Sequence, residues 1–149
     1  MKLLLVCNPG GHFSTMMGLK KFWSVYPREW VTYAKFDTLK LRDNELVYWV
    51  EMQEARMVWK AFLNFFKALF ILRKSQPDLV ISTGASLAVP FILASKLFGI
   101  KTVFNESISR SSSLSLTGRL VYNLADEFYV QWPECVERYP KTQYKGVVA

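Results

Sequence analysis

Leu3-Leu4-Leu5-Val6-Cys7-Asn8-Pro9-Gly10-Gly11-His12 is the stretch on which the fold turns. Five apolar residues without alternation read as a strand buried on both faces, and Pro9 ends it because proline has no N–H for the ladder. Gly10 and Gly11 then let backbone N–H groups approach an anion closely. A helix is predicted over residues 14–25, so the turn sits under a helix N-terminus, where aligned peptide dipoles favour negative charge. His12 projects into that site. Strand–turn–helix connections without any ligand share this pattern, so the turn alone does not establish a function.

Outward from this turn, β-favouring apolar runs alternate with helix-length segments, the signature of an α/β chain with a mostly parallel sheet and helices on both faces. Strands are predicted at residues 2–7, 30–34, 46–50, 78–82, 102–105, 127–130 and 144–148, and helices at 14–25, 55–75, 85–98 and 114–124. The 149 residues fit one domain, 1–149, around one continuous core. Residues 107–115 hold six serines and Arg110 and read as a solvated loop.

Hydrophobic residues make up 51% of the chain and aromatics 15%, which excludes disorder and leaves apolar surface for something other than the core. The formal charge is +7, concentrated early: residues 1–75 hold 12 Lys/Arg against 6 Asp/Glu, residues 76–149 hold 7 against 6. Such a basic face attracts nucleic acid or anionic lipid headgroups. Cys7 and Cys135, far apart and in no metal-ligand spacing, suggest neither a disulfide framework nor a zinc site and fit a reducing compartment. The opening apolar run is too short for a signal peptide.

In an open parallel sheet, ligands collect at the carboxyl ends of the strands. Three loops there stand out: residues 8–12; Ser82-Thr83-Gly84-Ala85-Ser86, with small hydroxyl residues and a glycine entering a helix; and Asn105-Glu106-Ser107, which places a carboxylate at a strand end, where a plain capping role is its common use. The 55–75 helix carries a second message. Arg56, Lys60, Asn64, Lys67 and Lys74 fall on one polar stripe, with Trp59, Leu63, Phe66 and Phe70 beside it. Val58, Phe62, Phe65, Leu69 and Leu72 lie opposite and are expected to pack on the sheet. Its lysines make it a poor membrane-spanning segment, yet a basic helix flanked by aromatics suits the plane of a bilayer surface. The alternative is a helix whose extra face a partner or neighbouring loops cover.

Taken in order, the 8–12 turn, this helix, Pro77-Asp78-Leu79-Val80-Ile81-Ser82-Thr83-Gly84, Val89-Pro90, Gly99-Ile100-Lys101-Thr102-Val103 and Asn105-Glu106-Ser107 resemble the amino-terminal half of a GT-B glycosyltransferase. The nearest likeness is to the asparagine-linked-glycosylation protein fourteen family and its bacterial capsule and exopolysaccharide counterparts. A more distant one is to the enzyme that adds N-acetylglucosamine to the lipid-linked peptidoglycan precursor. The resemblance implies a Rossmann-like acceptor-binding domain. It would be one subunit of a two-component glycosyltransferase that extends a polyprenyl-diphosphate-linked saccharide, with a UDP-sugar as donor, no cofactor and no metal.

By that likeness Gly10, Gly11 and His12, with Thr83, Gly84, Ala85 and Ser86, face the acceptor diphosphate. Asn105, Glu106 and Ser107 lie near the acceptor sugar. His12 and Glu106 are the two candidates for general base, and of the roles open to His12 the protonated clamp beside two phosphates is the preferred one. Arg56, Trp59, Lys60, Leu63, Phe66, Lys67 and Phe70 meet the membrane. A donor-binding subunit resembling the carboxyl-terminal GT-B half docks over the strand ends, near Trp132-Pro133 and the last strand, and the assembly sits peripherally on the cytoplasmic face of the cell membrane. Two rivals remain from the residues themselves: a non-catalytic anchor that recruits a glycosyltransferase, and a basic nucleic-acid-binding domain, for which no motif is present.

Overall fold

The computed structural model describes residues 1–54 and 57–148. Seven strands, β1 (Leu3–Val6), β2 (Arg28–Thr32), β3 (Val47–Trp49), β4 (Leu79–Ser82), β5 (Lys101–Asn105), β6 (Glu127–Val130) and β7 (Thr142–Tyr144), form one sheet in the order β3-β2-β1-β4-β5-β6-β7. Every pairing is parallel. From β1 the chain winds outward to β3, then returns to β4 and winds the other way. The boundary between β1 and β4 is therefore the switch point at which such sheets bind ligands.

β1 explains why an unalternating run was needed. Leu4 and Val6 pack into a cluster with Val31, Val80, Leu72 and Phe91, while Leu3, Leu5 and Cys7 pack on the opposite face against Met16, Trp23 and Trp30. The first face is covered by α3 (Val58–Ser75), α4 (Ala88–Leu97), α5 (Leu116–Val121) and α6 (Pro133–Arg138); the second, over β1 and β2, by α1 (Gly11–Gly18) and α2 (Lys20–Trp23). Pro90 sits in the first turn of α4 and Pro133 opens α6, where a missing N–H costs nothing.

Several boundaries differ from the sequence reading. The first helix begins at Gly11, because Gly10 at φ +88° completes the turn by itself, and it breaks at Leu19 into two pieces. Gly11 and His12 thus belong to a helical first turn. The last strand ends at Tyr144, since Gly146 at φ +111° redirects the chain. The α3 stripe is also rotated. Asn64, Ala68, Ile71, Leu72 and Ser75 form its buried face, whereas Val58 and Phe62 are exposed. Ala68 and Ser75 are small enough to let α4 approach, and Ala94 and Ser95 are buried there likewise. Ala55 and Arg56 lie outside the described residues.

At the amino end of the sheet, Lys2 Nζ lies 3.0 Å from Glu29 Oε1. Burial pushes the Glu29 carboxyl up, but hydrogen bonds and the Lys2 charge outweigh it and hold it below its ordinary range. A carboxyl lowered in the folded state stabilises the fold above its unfolded pKa and ceases to as pH falls through the folded value. Lys2→Met is therefore expected to lower the Tm at pH 7, with the gap to the parent chain closing as pH is taken below about 4. Thermal scans across that range check it.

Candidate functional site

Because β1, β4 and β5 are neighbours, the three loops singled out above leave the same end of the sheet side by side. Gly10 precedes α1 without a side-chain cap, and no acidic residue lies in the first turn. Ser14 N–H already bonds Gly10 O. The Gly10 N–H donates to Asp37 Oδ2 at 2.7 Å, so the donors that α1 leaves without an intrahelical partner are those of Gly11, His12 and Phe13.

His12 is fixed by a reciprocal clasp. Its Nδ1 lies 2.9 Å from the Thr83 carbonyl oxygen, and the Thr83 hydroxyl donates back to the His12 carbonyl at 2.6 Å. A carbonyl only accepts, so Nδ1 carries the proton and the lone pair of the neutral ring resides on Nε2. Gly84 makes the clasp possible. It adopts φ +110°, and a Cβ there would stand 2.9 Å from His12 Nδ1. Ala85 follows, also left-handed at φ +61°.

Of the small hydroxyl residues expected to present donors from this second loop, Thr83 spends its hydroxyl on His12 O and Ser86 donates to Gln53 O. Both therefore brace the turn, and neither hydroxyl proton is spare for an anion.

Glu106 is 1% exposed. Its carboxylate accepts from the N–H groups of Ser107 and Ser115, both at 2.9 Å, and from the Ser115 hydroxyl. Ser115 Oγ in turn caps α5 by accepting from Gly118 N–H. The serine-rich segment is thus gathered around a buried anion, and its serines are the short side chains that such wrapping requires. Asn105 is buried beside it, and Ser107 Oγ pairs with Ser109 Oγ at 2.9 Å. Gln131 Nε2 donates to Glu106 O, and Trp132, 38% exposed, donates from Nε1 to Ile108 O at 2.6 Å. Trp132 closes this loop rather than filling the core.

Two surfaces flank the loops. On α3, Trp59, Leu63, Phe66 and Phe70 are exposed, Lys60 stacks over Trp59, and Lys67 pairs with Glu51 at 3.4 Å. The apolar exposure continues over α4 (Leu93, Leu97), Phe98 just after it, and α5 (Leu116, Leu120), and Lys96 and Arg119 of the same helices are exposed too. A periodicity argument confined to one helix misses that continuity. Among the described residues, no helix is long and apolar enough to cross a membrane. On the other face, a groove of about 490 Å³ opens beside α2, lined by Leu19, Phe22, Ile81, Val103 and Tyr129 and edged by Val147 and Val148. The Tyr129 hydroxyl, bonded to Glu127 at 2.5 Å, is pushed up to about 12, first by that hydrogen bond.

The family model for "Oligosaccharide biosynthesis protein Alg14 like" matches residues 3–148. The chain belongs to the Alg14-like family. Among curated relatives, the rat UDP-N-acetylglucosamine transferase subunit ALG14 is 35% identical over 105 residues, 63% of this chain and 49% of that one. The Candida albicans subunit of the same name is 25% identical over 99% of this chain and 78% of its own length. This family member spans about half the length of the rat relative.

Among solved structures, Acinetobacter baumannii MurG superposes with a TM-score of 0.74 at 19% identity, covering 90% of this chain and 43% of that one. Rickettsia bellii UDP-N-acetylglucosamine 2-epimerase gives 0.75 at 14%, covering 98% and 44%. The fold is that of an amino-terminal GT-B half, Rossmann-like, as the sequence reading expected.

Asp37, Gln53 and Gly118 escaped the sequence reading. Each lies outside the loops that follow β1, β4 and β5, and none has a local pattern to mark it.

Proposed function

We propose that this chain is the acceptor-binding, membrane-associated subunit of a two-component glycosyltransferase that extends a polyprenyl-diphosphate-linked saccharide at the cytoplasmic face of a membrane. The observation that carries this reading is the His12–Thr83 clasp, which engages the imidazole through Nδ1 and leaves Nε2 outside that bond, on the first turn of an uncapped helix at the switch point of the sheet. The amides of Gly11, His12 and Phe13, with the backbone of Gly84 and Ala85, suit the negative charge of a diphosphate. Family membership supports the same class of work, and the name of the rat relative favours UDP-N-acetylglucosamine as donor.

In this reading the acceptor hydroxyl oxygen attacks the anomeric carbon of the donor sugar. The bond to UDP breaks with its electron pair leaving on the phosphate, and the hydroxyl proton passes to His12 Nε2. Glu106 holds the roof of the acceptor-sugar pocket through Ser107 and Ser115. No metal or cofactor is assigned a step. A donor-binding subunit closes the site over the strand ends and excludes water, with Trp132 and the rim of the sheet groove as its nearest exposed apolar contacts. The exposed faces of α3, α4 and α5 lie on the bilayer, their cations toward anionic headgroups.

The experiment is reconstitution with a donor subunit and a short polyprenyl-diphosphate saccharide. Transfer is expected only from the mixture, and full turnover by this chain alone would overturn the two-subunit reading. In parallel, Trp59→Ser combined with Phe66→Ser is expected to weaken sedimentation with anionic vesicles roughly tenfold or more, given the burial value of aromatic surface.

A further inference from the structure

Asn64 occupies a position that packing alone would give to leucine. It lies in the middle of α3, is 0% exposed, and is surrounded along the helix by apolar residues. Its Nδ2 donates to Glu51 O at 3.2 Å and to Gln53 Oε1 at 2.9 Å, while its Oδ1 is buried without a partner among the described residues. An amide retained at such a cost has a task besides filling space.

The chain of bonds shows what it reaches. Gln53, itself buried, uses the other end of its side-chain amide to donate to Ser86 O at 3.0 Å, and its main-chain carbonyl accepts from Ser86 Oγ. Ser86 Oγ also accepts from Asn8 Nδ2 at 3.3 Å, and Asn8 Oδ1 accepts the Leu87 N–H at 3.2 Å. These four residues therefore bind the turn after β4 to the turn after β1 and to the buried side of α3. That turn needs holding. Gly84 and Ala85 are consecutive left-handed residues, a conformation disfavoured for alanine that persists only where the surroundings impose it.

We propose that Gln53 and Asn64 are positioning residues for the acceptor turn: they fix Gly84–Ala85, and through Thr83 the imidazole of His12, to the same helix whose outer face is exposed and apolar. This rests on the reading of that turn as part of the acceptor site. Neither residue touches substrate. Their effect falls on the alignment of the turn, and so on acceptor use rather than donor use.

The test uses the reconstituted complex with a polyprenyl-diphosphate saccharide and UDP-N-acetylglucosamine. Gln53→Met, close in shape but without the amide, is expected to raise the acceptor KM about tenfold with the donor KM within twofold of the parent. Asn64→Leu, one bond further from the turn, is expected to move in the same direction. Gln53→Glu, which sets a buried acceptor oxygen against the Ser86 carbonyl oxygen, is expected to raise the acceptor KM at least as far as Gln53→Met. Amide hydrogen exchange on the complex supplies a readout independent of activity. The Leu87 amide is expected to exchange at least tenfold faster in Gln53→Met, with the β4 amides unchanged. Unchanged Leu87 exchange overturns the relay, as does a uniform loss in which both KM values and the β4 amides shift together. Faster Leu87 exchange with an unchanged acceptor KM rejects the positioning role and leaves only a brace. A parent complex that shows no saturable use of the lipid acceptor removes the functional reading itself, a result distinct from either.

Discussion

His12→Ala, paired with the donor subunit, is expected to lose between about two and four orders of magnitude in sugar transfer, the range that a positioned general base contributes. The expectation follows from one proton. Thr83 O accepts from Nδ1, so the neutral ring holds its lone pair on Nε2 and needs no change of tautomer to take a proton from an acceptor hydroxyl. Steady-state kinetics in both substrates separate the two tasks open to this side chain. Loss confined to kcat identifies a base, whereas a rise in acceptor KM identifies a cationic clamp on the diphosphate. Gly84→Ala provides a second route to the same loss, since its Cβ would stand 2.9 Å from Nδ1 and its φ of +110° disfavours any side chain. A His12→Ala complex that turns over at the parent rate would sink the assignment.

Gly118→Ala is expected to be the most damaging single-methyl change to stability. Alanine in a helix normally gains about 1 kcal/mol over glycine. Here the added Cβ would meet Glu106 Oε2 at 2.2 Å and Ser115 Oγ at 3.2 Å. A free glutamate would swing aside at little cost. Glu106 is 1% exposed and holds three donors from Ser107 and Ser115, so moving it breaks charge-assisted bonds worth about 1.5–3 kcal/mol each. Two such losses outweigh the propensity gain and leave a net cost of roughly 3 kcal/mol, or a Tm lower by roughly 6–12 °C for a chain of this size. Differential scanning calorimetry decides it, and a Tm equal to or above the parent's would show that the carboxylate relaxes freely.

The strands and their parallel sheet were readable because buried parallel strands leave unalternating apolar runs, and Leu3–Val6 and Leu79–Ser82 do so. That the three loops leave carboxyl ends of strands followed from those runs, whereas their lying side by side comes from the order β1-β4-β5 in the folded sheet. Asn64 was misplaced because helical periodicity ranks residues by polarity. An amide satisfied by Gln53 and the main chain counts as buried in the fold but as polar on a wheel. Glu106 carries the same lesson. A carboxylate at a strand end looks alike in sequence whether it faces a ligand or the N–H groups of its neighbour Ser107 and of Ser115, nine residues further on. The short α6 was missed because its six residues present no complete apolar face, only Cys135 buried and a proline at the start.

The groove beside α2 ties the chain's own stability to what fills it. Any partner that seats in the trough between Leu79, Val103 and Val147 binds the native state and not the unfolded one, so by mass action it raises the apparent unfolding free energy with every tenfold gain in its free concentration above Kd. The polypeptide with the groove filled and the polypeptide with it open are then different thermodynamic objects, and a melting curve in the presence of any such ligand is read only with that ligand's concentration beside it.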